Sequence, residues 1–233
     1  MSKPMPILEF ASRGAALAAA VTGVVESLAQ ALAGRGRASL GVCGGRTAAA
    51  MLPVLATQLI DWEYVDVFLV DERWVDPSDD QSNEKLVRAT LLQGPAAVAR
   101  FTGLKSTHHS ARQAAPNIEA RLQAIARPFD VVFLGMGNDG HIASLFPGGA
   151  ENSVTDRLVT ASTAPAGTRE RISLTPAALQ QVRRIVLVLF GRTKRALLEQ
   201  AITQGSPVEL PVRHVLQQQG PELRIITAGE GDA

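Results

Sequence analysis

One cysteine, one tyrosine and two tryptophans are all that 233 residues contain of those types. Lone Cys43 has no partner for an intrachain disulfide and lacks the companions of a thiolate zinc site, so disulfide-stapled and zinc-ribbon scaffolds are excluded. A reducing cytoplasm is the expected setting, with Cys43 a small space-filling residue at a strand end. An excess of charge is missing too. Twenty-three Lys and Arg stand against 22 Asp and Glu, a net charge of +1, and no long block has one sign. That balance argues against nucleic acid and against a polybasic membrane anchor as partners, and favours a small polar or anionic metabolite. No internal repeat or low-complexity linker interrupts the chain, and residues 165–167 read as a loop inside one domain. No metal is expected either, because His108 and His109 are adjacent, lie in a polar stretch and lack a convincing set of further ligands.

What the chain does have is apolar material, 46% of its residues, enough to bury a full core. Residues 15–25 resemble the core of a signal peptide, yet Glu9 and Glu26 flank them. Leu17, Val21, Val24, Val25, Leu28 and Leu32 recur at helical spacing, which predicts an amphipathic helix capped by Ser12 and ending near Gly34. No stretch is expected to reach membrane-spanning length. Beyond it, apolar runs at 38–42, 65–70, 130–134, 158–161, 184–190 and 223–227 read as strands. Helical patterns lie between them at 47–60, 82–92, 110–126, 193–204 and 211–218. Such alternation predicts a three-layer α/β/α fold with a mostly parallel, Rossmann-like central sheet, formed by residues 1–233 as a single domain.

Ligands in open α/β sheets gather at the carboxyl ends of the strands, and four such ends carry chemistry here. Gly135-Met136-Gly137-Asn138-Asp139-Gly140-His141 places an acid and an imidazole on a glycine-rich turn, as a base and its orienter need. Gly44-Gly45-Arg46-Thr47 opens a helix whose free N–H groups favour phosphate, though its spacing is neither a P-loop nor a dinucleotide fingerprint. Asp71-Glu72-Arg73-Trp74 follows a buried strand directly, and four charged or aromatic residues there either line a cleft or, taken alone, form a solvated acidic loop. Finally, Arg171 and Lys194 supply cations able to reach a phosphate from the opposite side.

Together with Ser82-Asn83, Ser144-Leu145-Phe146-Pro147-Gly148, Arg171-Ile172-Ser173-Leu174-Thr175 and the stretch from Gly191 to Lys194, these motifs resemble the 6-phosphogluconolactonases. That family sits within the wider group that includes glucosamine-6-phosphate isomerase/deaminases. The family commonly has Ser-Gly-Gly-Ser-Thr-Pro where this chain has Cys43-Gly44-Gly45-Arg46-Thr47-Ala48. Related deaminases continue Asp-Gly-His with an Asn-Glu-Pro segment, and Ser144-Leu145-Phe146-Pro147 lacks that acid. The resemblance therefore implies hydrolysis of 6-phospho-D-glucono-1,5-lactone in the oxidative pentose phosphate pathway, by a cytoplasmic monomer without cofactor. His141, Asp139, Asp71 and Arg73 are the implied catalytic set, with Arg73 or a backbone N–H facing the oxyanion. Gly44, Gly45, Arg46, Thr47, Arg171 and Lys194 are the implied phosphate ligands. An isomerase or deaminase of the same fold and a non-catalytic sugar-phosphate binder are the alternatives.

Overall fold

The computed structural model describes residues 7–229. Its elements run β1 (Ile7–Phe10), α1 (Arg13–Arg35), β2 (Ala38–Val42), α2 (Arg46–Ala56), β3 (Val65–Leu69), β4 (Asp71–Arg73) and α3 (Asn83–Thr90). There follow β5 (Arg100–Thr102), α4 (Ala111–Gln123), β6 (Phe129–Gly135), β7 (Val159–Thr163), β8 (Glu170–Leu174) and α5 (Pro176–Gln180). Last come β9 (Val182–Leu189), α6 (Arg192–Ile202), α7 (Arg213–Leu216) and β10 (Glu222–Ala228).

Seven strands form one sheet in the order β1-β10-β9-β6-β2-β3-β5, and every neighbouring pair is parallel. Helices flank it, giving the α/β architecture read from the sequence. Central strands β2, β6 and β9 are buried almost throughout, as unbroken apolar runs in a doubly covered sheet require. From β2 the chain moves outward to β3 and β5, whereas from β6 it moves the other way to β9 and β10. The loops after β2 and β6 therefore diverge at the switch point of the sheet and leave a crevice between them.

Helix α1 begins where Ser12 Oγ accepts the Ala15 N–H and stops at Gly36, whose left-handed φ of 69° turns its N–H onto the Leu32 carbonyl. Contrary to the sequence expectation, this helix does reach spanning length, with 23 residues and a mean hydropathy of 1.5 over its most apolar window. Alanine supplies much of that hydropathy. Ala16, Ala20, Val24, Leu28 and Ala31 form a buried stripe, and the helix packs on β2, β6, β9 and β10.

Other expectations need correction. The run at 158–161 was read as part of the parallel sheet, but β7 pairs antiparallel with β8, and β8 with β4, in a separate three-stranded sheet. Strands β1, β4, β5 and β8 and helix α5 carry no sequence expectation. The helix read at 47–60 ends at Ala56, where Thr57 Oγ1 and Gln58 Nε2 both donate to the Val54 carbonyl and close its last turn. The helix read at 110–126 ends at Gln123, where Ile125 N–H tightens onto Leu122. Only Arg213–Leu216 of 211–218 is helical; Gln217, at φ −96° and ψ 0°, leaves the helical conformation and closes the single turn with its N–H on the Arg213 carbonyl.

Candidate active site

The carboxyl ends of β2, β3, β6 and β9 open into a cavity of about 370 Å³. At the end of β2, Gly45 takes φ 92° and caps α2 without a side-chain hydrogen bond. The first N–H groups of α2, at Arg46 and Thr47, are left to whatever occupies the cavity, where a helix N-terminus favours an anion. Gly191, with φ 97°, opens α6 in the same uncapped way after β9. One turn into α6, Lys194 reaches the cavity, and burial together with the Arg46 charge holds its ammonium below the usual lysine range. A cation so disposed gains most from an incoming anion.

At the end of β6 the chain turns tightly, with Gly137 N–H on the His141 carbonyl and Gly140 N–H on the Gly137 carbonyl. His141 Nδ1 lies 2.6 Å from Asp139 Oδ1. Burial alone would raise the Asp139 carboxyl, but the ring hydrogen bond, the His141 charge and two backbone N–H groups bring it below the usual carboxylate range. An ionised carboxylate accepts only, so Nδ1 is the donor of this pair, and the tautomer it selects is the one whose ring lone pair lies on Nε2. Gly137 is obligatory here, since a Cβ at that position would overlap both His141 Nδ1 and Asp139 Oδ1. The imidazole also packs on Phe146, with ring centroids 5.0 Å apart.

Strand β4 brings Asp71 and Arg73 to the same cavity. Asp71 is buried, and its Oδ2 accepts from Ser144 Oγ at 2.6 Å, which ties it to the loop that carries His141. Between them Glu72 points away from the cavity and holds the start of α3. Its two oxygens accept from the N–H groups of Arg73, Asn83 and Glu84 and from Ser82 Oγ, at 2.7 to 3.0 Å. Burial pushes the Glu72 carboxyl up, and those four donors oppose the shift. Cys43 also lines the cavity, buried, its thiol pushed up to about 12 by burial with a contribution from the Asp71 charge.

The structure thus brings Gly44, Gly45, Arg46, Thr47, Asp71, Arg73, His141 and Lys194 to one cavity, with Asp139 behind His141. Arg171 is not among the lining residues. In β8 it stands opposite Arg73 of β4, half-buried, with its Nε unpartnered among the described residues. Burial and the Arg73 charge lower its pKa, while Asp71 and Glu72 act against that. Sequence reasoning missed Arg13, Asn83 and Ser144 as parts of the site. Arg13 lines the cavity from the first turn of α1, its guanidinium 5.7 Å from the centre of the Phe190 ring. Ser82-Asn83 stood out in the sequence, but no local signal joins Asn83 to Asp71. Among the described residues no group of three or more His, Cys, Asp or Glu side chains is placed to hold a metal ion.

Comparison with known proteins places the chain. Residues 11–224 match the family model described as glucosamine-6-phosphate isomerases/6-phosphogluconolactonase. The chain is similar to a 6-phosphogluconolactonase of Rhizobium meliloti, 41% identical over 98% of this chain and 100% of that one. It is also similar to a 6-phosphogluconolactonase of Caulobacter vibrioides, 40% identical over 97% and 98%. The crystal structure of a 6-phosphogluconolactonase from Shewanella baltica superposes with a TM-score of 0.94 at 36% identity, over 98% of this chain and 100% of that one. With nearly its whole length matched, the chain belongs to the glucosamine-6-phosphate isomerase/6-phosphogluconolactonase family.

Proposed function

We propose that this chain hydrolyses 6-phospho-D-glucono-1,5-lactone to 6-phospho-D-gluconate, a step of the oxidative pentose phosphate pathway. One observation carries the reading: an imidazole held at Nδ1 by a carboxylate shares a cavity with an uncapped, glycine-opened helix N-terminus and a lysine. The first is a general base, the second an anion cradle. Relatives at 41% and 40% identity, named 6-phosphogluconolactonase and matched over almost their full length, support the same activity.

In this reading Gly44, Gly45, Arg46, Thr47 and Lys194 hold the 6-phosphate and so set the lactone carbonyl against His141. Nε2 takes a proton from water as the water oxygen bonds to C1. The tetrahedral oxyanion is met by Arg73 or a backbone N–H. As the bond from C1 to the ring oxygen breaks, the imidazolium returns its proton to that oxygen, and the ring opens to the acid. Asp71 is the carboxylate that faces the substrate, and Arg171, opposite Arg73 in the antiparallel pair, offsets the charge of Asp71 and Glu72 and adds to the cationic side of the phosphate site. Hydrolysis of a lactone asks only for an activated water and a proton for the leaving oxygen, so the reading involves neither metal nor cofactor. It also takes the protein as a cytoplasmic monomer that binds neither nucleic acid nor membrane, in line with its balanced charge and buried Cys43.

The test is the decay of freshly made lactone with and without the protein, corrected for spontaneous opening. Ketose or ammonia formed from a sugar phosphate would instead identify an isomerase or deaminase, and binding without turnover a sensor.

A further inference from the structure

The cavity is rich in hydrogen-bond donors and poor in acceptors. Arg13, Arg46, Arg73 and Lys194 donate only, as do the free N–H groups of α2. A sugar lactone, however, brings hydroxyl protons that must find acceptors once water leaves. Asp71 supplies one set of acceptor oxygens. Asn83 supplies another, and nothing in the protein uses it.

Asn83 lines the cavity and is only 2% exposed. Its Nδ2 donates to the Asp71 carbonyl at 2.9 Å and lies 3.4 Å from Asp71 Oδ1. A carbonyl can only accept, so the amide orientation is determined, and Oδ1 is the atom left over. Among the described residues no donor reaches Asn83 Oδ1. The atom sits over Gly44, where a Cβ would overlap it, and therefore between the phosphate cradle and Asp71. The backbone of Asn83 cannot drift, because its N–H is bonded to buried Glu72 at 2.7 Å. Asn138, the other amide of the lining, is exposed and has no such anchor.

We propose that Asn83 determines substrate specificity by accepting, at Oδ1, a hydrogen bond from one ring hydroxyl of the bound sugar phosphate. The inference rests on the lactonase reading for the identity of the sugar. A fixed, buried acceptor discriminates strongly, since a ligand without the matching hydroxyl leaves it unpaired.

The experiment compares kcat/KM for 6-phosphogluconolactone with that for its 2-deoxy, 3-deoxy and 4-deoxy counterparts, in the parent, in Asn83→Ala and in Asn83→Asp. The parent should favour the full substrate over one deoxy lactone by about 10–100-fold through this contact. In Asn83→Ala that ratio should collapse to within about twofold, with the other two ratios unchanged. Asn83→Asp matches the amide only when its carboxyl is protonated, with the O–H donating to the Asp71 carbonyl in place of Nδ2 and the other oxygen accepting, so assayed on the acid side it should retain the discrimination even where its overall rate falls. Unaltered ratios in Asn83→Ala, or an Asn83→Asp enzyme that no longer discriminates on the acid side, would overturn the proposal. Should Asn83→Ala fail to fold, the Asp variant alone decides. Calorimetric binding of 6-phosphogluconate and its deoxy analogues reads the same ratios without turnover. A parent that discriminates in binding but hydrolyses no lactone would refute the lactonase reading and leave the Asn83 contact standing.

Discussion

Asp139 Oδ1 lies 2.6 Å from His141 Nδ1 and 3.2 Å from the His141 backbone nitrogen, so a single oxygen fixes both the ring and the turn beneath it. His141→Asn keeps hydrogen-bonding capacity but cannot act as a base, and turnover should fall by about 10²–10⁴-fold. Product binding measured by calorimetry should survive. Asp139→Asn should reduce kcat by about 10–10³-fold, because an amide can direct its NH2 at Nδ1 and strand the wrong tautomer. Near-parental rates in either variant would remove the pair from the chemistry.

Gly137→Ala tests the same pair by sterics alone. The added methyl meets the His141 ring and the Asp139 carboxylate and must push them apart. Turnover should drop by at least about tenfold, the lower end of what a misplaced base costs, while thermal unfolding shifts by only a few degrees. A variant with parental kcat would show that the turn can yield without disturbing the imidazole.

Lys194→Ala should weaken use of the phosphorylated lactone by about 1.5–3 kcal/mol in kcat/KM, the range of a charge-assisted hydrogen bond. Unphosphorylated gluconolactone has nothing for Lys194 to hold and should be hydrolysed as before. Equal losses on the two substrates would place Lys194 in structure or chemistry instead.

His214 gives the fold a sensitivity to acid. Burial pulls its pKa from 6.5 to about 4, and its Nε2 sits 3.2 Å from Asn152 Oδ1. The unfolded chain binds this proton at higher pH than the folded one does. Stability is therefore complete above pH 6.5 and is lost as pH falls toward about 4. The loss should amount to about 2 kcal/mol once partial exposure is allowed for. In His214→Gln, urea midpoints at pH 7 and pH 4.5 should lie closer together than in the parent. An unchanged gap between them would assign the acid sensitivity to other groups.

The central strands were legible because burial on both faces makes β2, β6 and β9 apolar without interruption. Edge strand β1 is largely exposed, and β4 and β5 are only three residues long, so none of the three carries a hydrophobic period. The dyad and the glycine cradle were legible because each lies within one loop. Arg171 was read as a phosphate ligand because a cation after an apolar run looks the same whichever sheet the run joins. The antiparallel register makes Arg171 the cross-strand partner of Arg73, a residue that does line the cavity, and that pairing across a second sheet has no local sequence signal. Asn83 and Ser144 meet Asp71 through tertiary contacts alone, and no local pattern foretells such a meeting.

The cavity lining runs from Arg13 on α1 to Lys194 on α6, and β9 must slot between β6 and β10 before Lys194 reaches its place. No contiguous stretch of a nascent chain carries the site, and parallel strand pairing of this kind closes long loops late. Recovered activity after dilution from denaturant is accordingly a clock for completion of the sheet: it should lag the return of helical signal, and ribosome-bound chains that have not yet exposed α6 should be silent.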